Sequence, residues 1–179
     1  MRTLALISEP QIQSNIARAV ADVFHTMLNR SVTLVVPESG ATPAPASPAA
    51  ALNGPQVVGS VGFLGQANGI IYLCFDEPSA KLFTGEMLCL DQAEVEELGS
   101  DAVKDAVGEL TNMVVGSFKN SLCDCGYPCT LTIPSILRGS DLCVEPWPAN
   151  SVRRHAYHFD TRGRRIVADI LMKADDPAP

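Results

Sequence analysis

Glu109 and Asn112 stand one helical turn apart in D-A-V-G-E-L-T-N-M-V-V-G, the stretch from Asp105 to Gly116. At about 100° per residue around a helix axis, Asp105, Glu109, Asn112 and Gly116 fall within roughly 60° of one another. That stripe offers a carboxylate that can pair with a cation and a carboxamide that accepts and donates hydrogen bonds at once, the property needed to hold a water in a chosen direction. A glycine one turn further on leaves room for close approach. Taken alone, a Glu and an Asn at this spacing are the ordinary dress of a solvated helix face.

The element that must carry these groups is readable from the opposite side of the same stretch. Val103, Val107, Leu110, Val114 and Phe118 recur at helical spacing and form the apolar stripe of a helix that buries one face. The helix is expected to end near Leu122, because Gly126 and Pro128 oppose its continuation. Asp91 and Glu94 fit a capping box upstream. Gly99 and Ser100 leave open whether one helix runs from Asp91 to Leu122 or a short helix precedes a longer one that starts at Ser100.

Ser8 and Pro10 open a first helix expected over about residues 9–29, with Ile12, Ile16, Val20, Val23 and Phe24 on its apolar side. Ser31 to Val36 reads as a short strand. Residues 37–55, rich in proline and alanine, read as a flexible surface loop. Gln56 to Leu64 and Gly69 to Phe75 form a hairpin turned by Asn68 and Gly69, and Glu77 to about Leu88 forms a helix. Thr130 to Leu137, Leu142 to Val144, Val152 to Phe159 and Arg165 to Met172 are strand candidates, the last two joined at Arg162 and Gly163. The tail after Lys173 is expected to fray. Sequential hairpins with interposed helices predict an α+β fold, its sheet largely antiparallel with long helices packed against it, in a single domain spanning residues 1–179.

The 179 residues are 46% hydrophobic, enough for one ordinary core. A net charge of -7 argues against general affinity for nucleic acid. No basic, apolar leader follows Met1 and no apolar run approaches the ~18 residues of a membrane span, so a soluble cytoplasmic protein is expected. Ten acidic residues from Asp76 to Glu109 face only Lys81 and Lys104, a strongly negative segment that can steer a cationic partner surface, though a charge run is more often simply a solvated face. The arginines 153, 154, 162, 164 and 165 are expected to point outward and protect strand edges. Six cysteines without a leader read as reduced thiols, with Cys74 and Cys89 in the core. Cys123, Cys125 and Cys129 are weak zinc candidates with Cys143 as a fourth thiolate, since their spacing differs from paired C-x-x-C knuckles. No GxGxxG, Walker loop, HExxH or GxSxG element occurs.

The pattern of Asp105, then Glu109-x-x-Asn112, then Gly116 resembles the signature of the CheC/CheX/FliY family of chemotaxis phosphatases. The likeness extends to G-S-V-G-F-L-G and G-I-I-Y-L-C-F-D in the hairpin and to T-I-P-S-I-L-R-G after the long helix. The resemblance implies hydrolysis of the aspartyl phosphate of a CheY-like receiver domain, with Asn112 positioning the attacking water and Glu109 docking a lysine of the partner. It gives Asp105 and Gly116 a partner-binding role and puts the Mg²⁺ in the receiver domain, with no cofactor held by this chain. The first helix lacks a second E-x-x-N, so the chain resembles CheX, with one such helix per chain and a homodimer expected. Two other readings stay open: a non-catalytic adaptor for a receiver domain, and a cysteine-based metal- or redox-responsive regulator.

Overall fold

The computed structural model describes residues 7–36, 52–145 and 152–173. Helix α1 (Glu9–Leu28) begins where the Ser8 backbone N–H donates to Gln11 Oε1 at 3.3 Å, with Pro10 in its first turn. Strand β1 is shorter than expected, Thr33–Val35. Most of the proline-rich segment read as a flexible loop, residues 37–51, lies outside the described residues, as does the tail after Lys173. Where the description resumes, Leu52 is buried against Val58, Cys74 and Val167, so the end of that segment is packed rather than loose.

The hairpin forms as expected from β2 (Gln56–Gly65) and β3 (Gly69–Asp76). Asn68 closes it by accepting from the Gly65 N–H at 3.1 Å and donating to the Gly65 carbonyl at 3.0 Å. Helix α2 (Glu77–Leu88) follows directly, capped by Asp76, whose carboxylate accepts from the Ser79 N–H at 2.7 Å. Asp91 and Glu94 make the reciprocal capping box that opens α3 (Gln92–Leu98). The question left by Gly99 and Ser100 is answered by backbone conformation. Gly99 takes φ +78°, a region costly for any side chain, so α3 stops and α4 (Ser100–Asp124) starts in a new direction. At the far end, Tyr127 N–H reaches the Leu122 carbonyl and Gly126 N–H the Cys123 carbonyl, both at 2.9 Å, with Gly126 at φ +91°. That is the Schellman closure which Gly126 foretold.

The remaining strands are β4 (Cys129–Leu131), β5 (Ser135–Gly139), β6 (Val152–Thr161) and β7 (Arg164–Lys173). Among the described residues they join β1–β3 in one antiparallel seven-stranded sheet, ordered β1-β6-β7-β3-β2-β4, with β5 also on β2. The single strand expected over Thr130 to Leu137 is two. Leu131 pairs with Phe63 and Ser135 with Ser60, so two residues, Ile133 and Pro134, oppose Val61 alone. This is a one-residue bulge on the outer edge. The strand expected at Leu142 to Val144 does not form. Gly139 already pairs with Gln56, the first residue of β2, and no ladder is left beyond it.

One face of the sheet carries the main core. Phe24, Phe75 and Phe83 meet edge to face or tilted at 5.3–6.3 Å between ring centres, joining α1, β3 and α2. The other face holds the small cluster around Val58, Cys74 and Val167. There Arg154 grips Asp169 through two bonds of 2.9 and 2.6 Å, with Asp169 almost wholly buried. Arg154 is thus an internal partner and not the edge protection expected of it, since β6 lies between β1 and β7. Burial pushes the Cys74 thiol up to about 12, which fits the inert core cysteine expected there. Cys89 is exposed instead of buried, because it ends α2 in the left-handed conformation at φ +57°.

Candidate functional site on the long helix

Helix α4 lies on the sheet through the stripe that its periodicity defines. Val103, Val107, Leu110, Val114 and Phe118 are all at most 5% exposed. Each buried side chain of this size contributes about 1.5–3 kcal/mol relative to exposure, so the helix is held without help from its outer face. Thr111 sets how close it sits. It lies against Gly59 of β2, where an added Cβ would fall 2.0 Å from Thr111 Oγ1 and 2.8 Å from Thr111 Cβ. The Thr111 hydroxyl is itself committed, donating to the Val107 carbonyl at 2.7 Å. Along the same helix, Arg18 of α1 donates to Ser121 Oγ at 2.6 Å.

The outer stripe stands as its spacing predicts. Asp105 and Glu109 are exposed, and Asn112 and Gly116 are half-buried. Among the described residues none of the three polar side chains has a hydrogen bond or ion pair. Lys104, the nearest cation in sequence, pairs with Asp101 at 2.8 Å and leaves Asp105 uncommitted. Three polar groups that spend nothing on their own protein are available to a visitor. Two uncommitted carboxylates and one amide along a convex helix are too few and too open to cage a divalent cation, which takes six or more oxygen ligands including water.

One wall of the site was not legible as such in the sequence. Gly108 and Gly116 flank Asn112 by one turn on either side. A Cβ at Gly108 would lie 3.6 Å from Ile136 Cδ1, and one at Gly116 would lie 3.9 Å from Leu131 Cδ1. The β4–β5 edge therefore runs beside the stripe, with the bulge at Ile133 and Pro134 between those two contacts. The T-I-P-S-I-L-R-G segment was the available signal, since it ends one edge strand and begins the next.

The cysteines separate into two places. Cys123 lies on the same stripe of α4, two turns beyond Gly116, and its thiol hydrogen-bonds to that of Cys129. Burial, then the neighbouring Cys123, pushes the Cys129 thiol up. Cys143 lies beyond β5, next to Leu142 of the opposite face, and its thiol donates to Glu145 Oε1 at 3.7 Å. The sheet separates it from Cys129, so the set of Cys123, Cys125, Cys129 and Cys143 is not assembled. Among the described residues no group of three or more His, Cys, Asp or Glu side chains could hold a metal ion. Likewise, no helix among them is long and apolar enough to cross a membrane.

Known proteins share this architecture. A CheX from Desulfovibrio desulfuricans is 21% identical, with 91% of this chain and 99% of that chain covered at a TM-score of 0.70. A CheC-like superfamily protein from Shewanella sp. PV-4 is 22% identical over 93% and 100% of the two chains, at a TM-score of 0.73. The CheX of Borrelia burgdorferi, solved in a complex with CheY, BeF₃ and Mg²⁺, is 18% identical over 91% of this chain and 98% of that chain, at a TM-score of 0.65. No curated protein matches the sequence. The family described as chemotaxis phosphatase CheX matches residues 57–159, a span that runs from β2 through the whole of α4 and the bulged edge into β6. With more than half of the chain matched and the same antiparallel sheet beneath the E-x-x-N helix, this protein belongs to the CheX family.

Proposed function

We propose that this chain is a phosphatase that hydrolyses the aspartyl phosphate of a CheY-like receiver domain, through α4. The observation that carries the reading is the pair of uncommitted side chains, Glu109 and Asn112, on the solvent side of a helix whose other side is fully buried. An acyl phosphate has a good leaving group, and its hydrolysis is accelerated by positioning and charge stabilisation more than by a strong base. Asn112 accepts from a water with its carbonyl and donates with its amide, holding the oxygen in line with the phosphorus. The water oxygen bonds to phosphorus as the bond to the aspartate oxygen breaks, and the carboxylate leaves with the electron pair. Glu109 meets a lysine beside the phosphoryl group and sets the docking register. Asp105 adds negative charge at the margin, and Gly116 leaves space for the partner's backbone. The Mg²⁺ of this reaction is held by the receiver domain.

Phosphate release from phosphorylated receiver domains of the same organism tests the reading. Binding without phosphate release would identify an adaptor instead. Because Glu109 is exposed and acts in docking, Glu109→Ala is expected to raise KM by roughly tenfold, about 1.4 kcal/mol, while kcat changes little. An unchanged KM would remove Glu109 from the docking contact.

A chain with one E-x-x-N helix fits a homodimer in which each copy serves one receiver. Among the described residues no strand pairs with the outer side of β1, where Val35 and, just beyond the strand, Val36 are exposed, the kind of edge on which chains pair. Sedimentation velocity is expected to give the mass of two 19.0 kDa chains, and a monomer at micromolar concentration would refute the dimer.

A further inference from the structure

Ile133 is 85% exposed, more than any other large hydrophobic side chain among the described residues. An isolated exposed isoleucine is common, and what sets Ile133 apart is its fixed position beside the outer stripe of α4. The segment that bears it is clamped from both sides. Thr132 N–H donates to the Gly62 carbonyl at 2.9 Å, and Gly62 N–H donates back to Thr132 Oγ1 at 2.9 Å. Leu131 and Ser135, two residues to either side of Ile133, are both paired to β2. Pro134 restricts the backbone of Ile133 itself. A bulge of this kind re-aims a side chain at a sheet edge, and here the extra residue falls where Ile133 and Pro134 together oppose Val61. The position is next to the site, because Ile136 and Leu131 lie where a Cβ added at Gly108 or Gly116, one turn on either side of Asn112, would meet them at 3.6 and 3.9 Å.

From this placement we infer that Ile133 is an apolar anchor of the surface that docks the receiver domain, an inference that rests on the function proposed above. The stripe of α4 supplies charge through Asp105 and Glu109, and the bulge supplies an apolar knob on the other flank of Asn112. The partner surface that fits is a phosphorylated receiver presenting a lysine for Glu109 next to an apolar depression. The occupant is a receiver and not a second copy of this chain, because the knob is continuous with the uncommitted acidic stripe, and two such stripes would repel each other across a self-complementary contact. A rigid side chain loses little freedom on binding, so its burial translates into affinity.

The test uses the full-length chain, a phosphorylated receiver for turnover, and the same receiver with Mg²⁺ and beryllofluoride for equilibrium binding. Ile133→Ala is expected to raise KM and the beryllofluoride-receiver Kd by roughly tenfold with kcat within about twofold, the effect of truncating a central contact. Ile133→Met restores most of the affinity, and Ile133→Lys, which meets the partner's lysine, weakens binding further. Unchanged KM and Kd in Ile133→Ala, with an active wild type, overturn the anchor and leave the phosphatase reading standing. A wild type that neither binds nor dephosphorylates any receiver overturns both. A dimer that dissociates in Ile133→Ala assigns the knob to self-association and overturns the anchor.

Discussion

Asn112→Ala is expected to lower the rate of phosphate release from a phosphorylated receiver by roughly 10²–10³-fold, the loss seen when one preorganised polar group acting in the transition state is removed. Binding of the beryllofluoride-activated receiver should stay within about threefold of wild type, because a group whose contacts are made with the attacking water contributes little to ground-state affinity. The fold should be untouched. Asn112 is half-buried on the outer side of α4 and has no side-chain hydrogen bond among the described residues, so its truncation leaves no buried group unpaired. Asn112→Asp separates geometry from charge: it keeps the shape but brings a carboxylate toward a phosphoryl group, and should also be slow. Turnover by Asn112→Ala within threefold of wild type would dismiss Asn112 as the group that holds the water.

Gly59→Ala should damage both stability and turnover, although it is a single methyl group placed on the buried side of the helix from the site. In the interior of a strand, alanine is ordinarily no worse than glycine, so any loss comes from the contact. The new Cβ would meet Thr111 Oγ1 at 2.0 Å and Thr111 Cβ at 2.8 Å. Turning the hydroxyl aside breaks its 2.7 Å bond to Val107 and still leaves the Cβ in the way. The helix must lift off the sheet. Overpacking of this kind costs about 1–3 kcal/mol, and the approach of one Cβ to another argues for the upper end. For a chain of this size that lowers Tm by roughly 6–12 °C. Because α4 carries Asn112, a shift of about 1 Å also costs on the order of 10²-fold in rate. Thr111→Ala in the same chain should recover only part of both losses, since it removes Oγ1 and Cγ2 but keeps the Cβ. Thermal unfolding and phosphate release on the two variants check this; a Gly59→Ala protein with wild-type Tm and kcat would show that α4 is not seated by this contact.

These two variants mark how differently the two sides of one helix can be read. Asn112 was visible in the sequence because the outer stripe and its motif are local, spaced by a period of 3.6 residues. Gly59 was visible only as a glycine in a strand. Its meaning depends on Thr111, a residue 52 positions later, and no local rule connects them. The same division runs through the rest of the chain. Capping at Ser8 and Asp91, the turn at Asn68 and the stop at Gly126 came out as expected, each being an exchange of hydrogen bonds within a few residues. The larger misreadings were of register or facing. One strand became two at Ile133 and Pro134, the strand at Leu142 had no backbone left to pair with, Cys89 turned outward, and Arg154 turned to Asp169.

By itself, then, the sequence determined that a long amphipathic helix would present Asp105, Glu109, Asn112 and Gly116 on one side and bury Val103, Val107, Leu110, Val114 and Phe118 on the other. It also determined an antiparallel hairpin before that helix and another after it. Tertiary structure alone decided what stands beside Asn112, how closely α4 approaches β2, and which cysteines can meet. The reason is physical. Helical facing and turn chemistry follow from interactions over three or four residues, whereas a bulge, a glycine contact or a thiol's neighbours follow from pairings between strands far apart in the chain. A one-residue slip between Leu131 and Ser135 reverses which face each following side chain takes, and only the partner strand β2 reveals it.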